Sequence, residues 1–318
     1  MDHDFSLADT FGIPAPDHMT VRGFADASHP LIPQRKDYLF RREPLRDVIA
    51  FLSEPRGDGL YITGPTGSGK TSLVLQVAAR LHWPVQSVTC HGRLELSSLI
   101  GQFTLTQGSM TFVHGPLSKA LLEGQLLIIN EIDVLDPSEL AGLNDCLEGQ
   151  PLIIPENGGE VIRPHPDFRL IATANSRGSG DGSGLYQGVL RQNQAFLDRF
   201  RLIEVGYPDP EVEALLLHLE VPSLPKEIRE RMIRVAGEVR QLFIGTDTAA
   251  GMLGVTLSTR GLLRWAELAL TFRSAPNALG YALDRALTLR AEPQERTAIL
   301  RIAADVFGDQ WESVITLD

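Results

Sequence analysis

The chain alternates short, nearly continuous apolar runs with longer segments in which apolar residues recur at helical spacing. Short runs of this kind predict strands buried on both faces, and the amphipathic segments between them predict helices. The predicted strands cover residues 59–63, 84–90, 126–130, 168–174 and 201–205. Their alternation with helices predicts an α/β fold, a doubly wound parallel five-stranded sheet.

The pattern changes near residue 207, after which helical periodicity continues without a strand between the helices. The predicted helices there cover residues 209–219, 226–242, 258–272 and 281–289. Pro208 and Pro210 mark the change. We therefore expect an irregular N-terminal arm over residues 1–32, an α/β domain over 33–207 and a small all-helical lid domain over 208–318.

Two stretches inside the α/β domain, residues 103–113 and 152–162, alternate apolar and polar residues around glycine-containing turns. Such a pattern predicts β-hairpins. A single hairpin is often decoration, whereas two on one domain indicate contacts with another molecule. Residues 176–184, rich in Gly and Ser, predict a flexible loop.

The composition is that of an ordinary globular protein of 318 residues, 43% hydrophobic and 22% charged. No apolar stretch approaches the roughly 20 residues of a membrane span, and residues 1–5 lack the features of a signal peptide. The two cysteines, Cys90 and Cys146, predict a reducing compartment, the cytoplasm, and no disulfide framework. A net charge of −11 argues against unaided binding to nucleic acid.

A glycine-rich G-x-x-x-x-G-K-T motif lies directly between the first predicted strand and a predicted helix. Its residues are Gly64, Pro65, Thr66, Gly67, Ser68, Gly69, Lys70 and Thr71, and Ser72 opens the following helix. The backbone of such a loop binds phosphates, Lys70 would reach the β- and γ-phosphates, and the Thr71 hydroxyl would bind Mg²⁺. The motif therefore predicts a nucleoside triphosphate site, with ATP and Mg²⁺ as cofactors.

Strand 126–130 ends in Asn130, and Glu131 follows directly, which places two polar groups where a phosphate-binding fold needs them. Glu131 is the candidate catalytic base; the alternative is a solvated carboxylate at a strand end. Asn130 would bind Mg²⁺ through water, but a neutral amide weakens the metal site because it brings no charge. Asp133 would compensate in part.

Three further side chains have the right order along the chain for roles at the phosphates. Asn175 follows the fourth strand and would bind the attacking water or the γ-phosphate, although an Asn there is often only a cap. Arg199 lies at the end of a predicted helix, just before the fifth strand. It is the candidate arginine finger for a neighbouring subunit, with Arg201 as the alternative. Arg260 opens a helix of the lid and would fold back over the same phosphates.

Taken together, these motifs resemble the AAA+ ATPases of the MoxR class over nearly the whole chain. The similarity is closest to the small ATPase subunit of aerobic cobaltochelatase, the CobS type, and the CbbQ and NorQ activators share the Ser-Thr-Arg start of the lid helix. The residues that carry it are 11–13, 64–71, 78–84, 161–175, 184–186 and 198–200.

The resemblance implies a ring, usually a hexamer, with ATP held between subunits. It assigns residues 64–71 to Walker A, Asn130 and Glu131 to the end of Walker B, Asn175 to sensor 1, Arg199 to the finger and Arg260 to sensor 2. It makes the two hairpins the helix-2 and pre-sensor-1 inserts, which face the pore or a partner. The family normally has Asp in place of Asn130.

The resemblance also implies work on a partner. Such ATPases usually act with a protein that bears a von Willebrand A domain, and together they remodel a metal enzyme or insert a metal. The main hypothesis is therefore an ATP-hydrolysing ring, with a chelatase motor subunit as one form of it. The alternatives are an ATP-binding scaffold whose hydrolysis is weak because of Asn130, and a nucleic-acid-associated AAA+ motor.

Overall fold

The computed structural model describes residues 1–106, 108–180, 188–244, 253–313 and 315. Contacts group these residues into two compact units. The α/β unit comprises residues 1–65 and those described within 70–205. The helical unit comprises Thr66–Gly69 and those described within 206–315. The predicted resemblance over residues 184–186 and part of the predicted flexible loop lie outside the described residues.

The N-terminal segment contains regular structure, which corrects the prediction of an irregular arm over residues 1–32. Its elements are β1 (His3–Ser6), α1 (Leu7–Phe11) and β2 (Thr20–Gly23). The two strands pair antiparallel, and Leu7, Phe11 and Val21 are buried in a core cluster of the α/β unit. These elements are too short to show a period in the sequence, so their apolar residues appeared isolated.

The rest of the α/β unit alternates strands and helices, as the sequence predicts. Its elements are α2 (Arg42–Ser53), β3 (Gly59–Thr63), α3 (Lys70–Arg80), β4 (Val85–Thr89), α4 (Leu96–Ile100), β5 (Gly101–Thr106), β6 (Ser109–His114), α5 (Pro116–Glu123), β7 (Leu126–Asn130), α6 (Pro137–Leu140), α7 (Asn144–Leu147), β8 (Leu152–Ile154), β9 (Glu160–Ile162), β10 (Arg169–Thr173), α8 (Gln194–Leu197) and β11 (Phe200–Glu204). In the described residues, five strands form one parallel sheet in the order β11–β3–β10–β7–β4. The predicted fold class is therefore confirmed.

Strands β3, β7 and β10 are buried at every position because the central sheet has a core on both faces. Leu60 and Ile62 of β3 belong to the cluster that includes Val74 of α3. Tyr61 lies between them in sequence and belongs to the opposite cluster, with Leu117 of α5. Since β10 lies between β3 and β7, the segments that follow these three strands meet at one edge of the sheet.

The helical stretch over residues 137–147 is interrupted rather than continuous. A 3₁₀ turn, Ala141–Leu143, separates α6 from α7. Gly142 lies in this turn, and glycine is a poor helix former because its backbone loses more conformational entropy.

Each of the two predicted hairpin regions forms a separate two-stranded sheet, β5–β6 and β8–β9. In the first, Leu105 pairs with Met110, and both side chains are exposed. His114 Nε2 lies 2.8 Å from Glu160 Oε2, and this contact joins the first hairpin to the second. The hairpins are therefore linked through side chains as well as through the domain beneath them.

The helical unit contains no strand in the part that the structure describes. Its helices are α9 (Pro210–Glu220), α10 (Lys226–Ile244), α11 (Thr259–Thr271), α12 (Ala278–Ala286) and α13 (Pro293–Phe307). They enclose a core in which Met232, Trp265 and Phe307 are fully buried. Across the described ranges, no helix combines the length and the apolar character needed to cross a membrane.

Candidate nucleotide site

The phosphate-binding loop joins β3 to α3 and adopts a conformation that requires glycine. Gly64 has a φ of 147°, and a Cβ placed on it would lie 2.2 Å from the Val205 carbonyl oxygen. Gly67 and Gly69 have φ values of 70° and 95°, in the left-handed region that glycine adopts without strain. The α3 helix then begins at Lys70, so its N-terminal N–H groups follow the loop directly. This arrangement fits a bound phosphate.

The Lys70 ammonium is surrounded by oxygen atoms. Its Nζ donates to the carbonyls of Gly64 (2.7 Å) and Pro65 (3.0 Å), and to Asn175 Oδ1 (3.0 Å). Burial lowers the pKa of Lys70 to about 8, and the negative charges of Asp133 and Glu131 oppose that shift. The fold therefore brings Lys70 and Asn175 into direct contact, although they are far apart in the sequence.

Thr71 and Asn130 also meet, through their oxygen atoms. The Thr71 hydroxyl donates to Asn130 Oδ1 at 2.7 Å, and the Thr173 hydroxyl donates to the same atom at 3.2 Å. The Asn130 Nδ2 donates to Ser87 Oγ (3.1 Å) and to the Val88 carbonyl (3.3 Å). These partners fix the amide with its oxygen toward Thr71. Two adjacent oxygens suit a hard divalent cation, but neither carries a charge.

Glu131 occupies the turn after β7 and is exposed. Its φ of 56° lies in the left-handed region, which is uncommon for a residue other than glycine. Its N–H donates to Thr173 Oγ1 at 3.4 Å, which ties the end of β7 to the end of β10. A strained residue of this kind at a sheet edge is typical of functional sites. Its role as catalytic base stays a prediction.

Asp133 lies fully buried two residues beyond Glu131, and its charge acts on Lys70, so compensation for Asn130 stays a prediction. Its Oδ2 accepts hydrogen bonds from the N–H groups of Asn175 (3.0 Å) and Ser176 (2.9 Å) and from Ser176 Oγ (3.0 Å). Among the described residues, the carboxylate therefore binds the turn after β10 rather than the Thr71 hydroxyl.

The two candidate finger arginines differ in what holds them. Arg199 Nε donates to Glu148 Oε1 at 2.8 Å, and half of the Glu148 side chain is exposed (50%). Arg201 donates to Asp58 Oδ2 at 2.8 Å and to two backbone carbonyls, at 2.7 and 2.8 Å, in the turn before β3. Arg199 also donates to one backbone carbonyl, that of Ala195, so it is held by fewer main-chain contacts than Arg201. The half-exposed Glu148 is an exchangeable partner for Arg199.

Arg260 is exposed in the first turn of α11, in the helical unit. The Ser258 hydroxyl caps that helix by accepting from the Gly261 N–H at 3.2 Å. Ser72 is exposed in the first turn of α3, whereas Ser68 of the loop is buried. The assignments of Arg260 and Ser72 to the phosphates stay predictions.

Comparison with known proteins agrees with this geometry. Residues 59–200 match the AAA domain of the dynein-related subfamily, and residues 213–306 match the CbbQ/NirQ/NorQ C-terminal domain. The aerobic cobaltochelatase subunit CobS of a Sinorhizobium species is 31% identical over 280 residues, which cover 85% of this chain and 82% of CobS. The chain belongs to the AAA+ ATPases of the MoxR class.

Two further relatives of this AAA+ ATPase have similar identity. Protein NorQ of Paracoccus denitrificans is 29% identical over 83% of this chain and 93% of its own length. The uncharacterized protein YojN of Bacillus subtilis is 31% identical over 60% of this chain and 61% of its own length. Membership of this family makes the chain an ATPase.

Sequence reasoning missed several residues of this AAA+ site. Ser87, Thr173 and Ser176 are small hydroxyl residues that hold Asn130 and the turn at Asn175. Thr173 and Ser176 flank Asn175 at the end of a predicted strand, and that position was the available signal. Nothing in the sequence pointed to Glu148 as the partner of Arg199, because no motif relates the two residues.

Proposed function

We propose that this AAA+ protein assembles into a ring, most simply a hexamer, and hydrolyses ATP with Mg²⁺ to remodel or activate a partner protein. The observation that carries the proposal is the convergence of three strand ends on one edge of the sheet. There Lys70 contacts Asn175, and Thr71 contacts Asn130. Phosphoryl transfer needs little covalent chemistry from a protein, so positioned groups of this kind supply most of the catalysis.

Each group has a role in the proposed reaction. The loop backbone and Lys70 would hold the triphosphate, and the oxygens of Thr71 and Asn130 would hold Mg²⁺, that of Asn130 through water. Bound Mg²⁺ supplies positive charge to the phosphate oxygens. Glu131 orients the attacking water and accepts its proton, while Asn175 binds that water or the γ-phosphate.

A second subunit completes the site in this proposal. Arg199 is the finger for the neighbouring ATP, since its only carboxylate partner among the described residues is half exposed. On ring assembly, Arg199 exchanges Glu148 for the γ-phosphate of the neighbour. Arg260 acts as sensor 2 from the lid.

The partner in the proposal is a protein with a von Willebrand A domain, together with a client such as a metalloenzyme. CobS is by name a subunit of a cobaltochelatase, which supports a chelatase-type motor role. The two hairpins supply the contact surface, with Leu105, Met110, Ile153 and Val161 exposed on them. The reduced cytoplasm suits the free thiols of Cys90 and Cys146.

An ATP-binding scaffold with weak hydrolysis is the second candidate, and one observation favours it. The Asn130 amide is held with its oxygen toward Thr71, so the metal side of the site is neutral. A nucleic-acid-associated motor has less support because the net charge is −11.

Mg²⁺-dependent ATP hydrolysis of wild type and Glu131→Gln separates the first two candidates. The motor requires wild type to be faster by about 100-fold or more, because the variant cannot accept the proton. The scaffold is the better account if the two rates are equal while both proteins bind ATP. DNA-stimulated turnover would support the third candidate.

Glu131→Gln also serves as a trap for the client. In the presence of ATP, the Glu131→Gln variant should stay bound to its partner protein. The Lys70→Ala variant should not, because it cannot bind the phosphates of ATP. A protein that co-purifies with the first variant and not with the second is the partner that the proposal requires.

A further inference from the structure

A buried carboxylate outside the P-loop contacts the segment that carries Asn175. Asp133 is fully buried, in a 3₁₀ turn that follows Glu131. One of its oxygens, Oδ2, accepts three hydrogen bonds, all of 3.0 Å or less, from Asn175 and Ser176. Two of the donors are backbone N–H groups, so the carboxylate fixes the main chain of this turn and not only a side chain.

The same turn is held from its other side by the strand that leads into the P-loop. The Ser176 carbonyl accepts hydrogen bonds from the Thr63 hydroxyl (2.9 Å) and from the Tyr61 hydroxyl (3.3 Å). Three main-chain groups of the turn are therefore bound to buried side chains. The N–H groups of Asn175 and Ser176 bind Asp133. The Ser176 carbonyl binds Thr63 and Tyr61. The turn therefore has its position set by β3 and by Asp133 together.

The consequence appears at the Asn175 side chain. Its Oδ1 lies 3.0 Å from Lys70 Nζ, at the place where the γ-phosphate is expected. A side chain as short as Asn has little reach of its own, so a displacement of the main chain would carry the amide away from the phosphates. A misplacement of about 1 Å at a reacting centre can lower a rate by about 100-fold.

We propose that Asp133 is a positioning residue that holds the Asn175–Ser176 turn and thereby sets the distance between Asn175 and the γ-phosphate. This inference rests on the ATPase activity and on the role proposed for Asn175. It gives Asp133 a function in hydrolysis that is separate from the effect of its charge on Lys70, since its Oδ2 contacts neither the P-loop nor the Thr71 hydroxyl among the described residues.

A carboxylate suits this position better than an amide. It accepts several hydrogen bonds at one oxygen without presenting an N–H to the turn. Hydrogen bonds to an ionised acceptor are roughly twice as strong as neutral ones. The second oxygen, Oδ1, is buried without a hydrogen-bond partner among the described residues, so part of the cost of burial is left uncompensated. Because burial of Oδ1 makes Asp133 costly for stability, we expect this side chain to have a role in function.

The first test compares Asp133→Asn and Asp133→Ala with wild type at about pH 7. We expect kcat to fall by about threefold in the Asn variant, which retains an acceptor, and by about tenfold or more in the Ala variant. Binding of a fluorescent ATP analogue is measured beside kcat, because both variants remove a negative charge that acts on Lys70 and so change nucleotide affinity on their own. kcat is therefore taken at saturating ATP, where a change in affinity does not enter. Asp136→Asn is the matched control: Asp136 caps the next helix, and Asn caps equally well.

A double-mutant cycle with Asn175→Ala decides whether Asp133 acts through Asn175. Once Asn175 is removed, Asp133→Asn should cost no further activity, because the group that it positions is gone. Rates are expressed per folded, nucleotide-binding site, so a loss of stability alone does not count. Additive losses in the double variant would overturn the proposal, as would unchanged kcat in both single variants.

The outcomes distinguish this inference from the proposed function. If wild type shows no turnover that depends on Glu131, the proposed motor fails before Asp133 is tested. If wild type turns over and the Asp133 variants match it, only the positioning role fails. If Asp133→Ala does not fold, the Asn variant and its cycle with Asn175→Ala still decide the matter.

Discussion

At the scale of single residues, the site combines a buried cation, Lys70, with an uncharged pair of candidate metal ligands, Thr71 and Asn130. Lys70 bonds to three oxygens, and yet burial lowers its pKa to about 8. Asn130 offers an oxygen to Thr71 but no charge. The two features make the affinity for ATP sensitive to pH and the affinity for metal sensitive to one side chain, and each leads to a prediction.

The affinity for ATP is expected to fall as the pH rises above about 8. In the nucleotide-free protein the pKa of Lys70 is lowered from its ordinary value of 10.5 to about 8, so the side chain loses its proton as the pH rises past that value. A bound triphosphate keeps Lys70 charged. Binding then takes up a proton, so Kd rises by up to about tenfold per pH unit. Titrations of a fluorescent ATP analogue from about pH 7 to about pH 9.5 measure this. Lys70→Arg should flatten the profile, and an equal slope in that variant would assign the titration to another group.

Asn130→Asp is expected to destabilise the protein in the absence of nucleotide and metal. The substitution replaces an N–H donor with an oxygen that faces the Val88 carbonyl, and we expect a cost of about 1–2 kcal/mol. Mg²⁺ and ATP should then raise the melting temperature more than in wild type, because a carboxylate binds the cation more strongly. Thermal unfolding with and without Mg²⁺-ATP tests both effects.

A control distinguishes the contributions of Ser87 and of the Val88 carbonyl, the two acceptors of the Asn130 amide. The Ser87 hydroxyl can rotate to donate to a carboxylate, so adding Ser87→Ala should increase the cost of Asn130→Asp. Equal stability of Asn130→Asp and wild type without metal would show that the Val88 carbonyl does not select the amide.

At the scale of elements, the helical unit is joined by a buried ion pair. Arg240 of α10 binds both oxygens of Glu213 of α9 at 2.8 Å, and the side chains are 8% and 1% exposed. The Thr259 hydroxyl of α11 donates to Glu213 at 2.8 Å, and Arg240 also binds the Leu257 carbonyl. One carboxylate therefore connects three helices, including the helix that carries Arg260.

Removing one member of this pair is expected to be costly. Glu213→Gln should lower the free energy of unfolding of the helical unit by about 3 kcal/mol, because it leaves the Arg240 charge buried and unpaired. The double variant Glu213→Leu with Arg240→Met should lose less, since neither charge remains. Urea unfolding followed by circular dichroism measures both changes.

An exposed pair of the same unit is the control for that measurement. Lys226 and Glu230 lie 3.6 Å apart on the surface of α10, and Glu230→Gln should change the stability by less than about 0.5 kcal/mol. A similar small effect for Glu213→Gln would mean that the α9–α10 connection is not stabilised by the buried pair.

At the scale of the whole molecule, the parallel five-stranded sheet could be predicted from the sequence, because buried strands and amphipathic helices have distinct periods. The order of its strands came only from the structure. The P-loop residues could be predicted because one motif holds them together in the chain. The contact of Asp133 with Ser176 could not, since it joins residues from different strand ends. The N-terminal sheet was missed because its strands are too short to show a period.

The proposed ring is a claim at this same scale, because it requires one subunit to complete the site of the next. Arg199 is held by Glu148 in the single chain, and its proposed work lies in a neighbour. Arg199→Ala and Lys70→Ala should therefore each abolish turnover, for different reasons. A chain with Arg199→Ala cannot supply the arginine finger to the site of its neighbour. A chain with Lys70→Ala cannot bind the phosphates of ATP in its own site.

Mixing these two inactive variants is the most direct test of the account. In rings assembled from equal amounts, some sites receive Lys70 from an Arg199→Ala chain and the finger from a Lys70→Ala neighbour. Random mixing makes about a quarter of the sites complete, so about a quarter of the wild-type ATPase rate should return. A mixture that forms rings and yet recovers no activity would contradict a site shared between subunits.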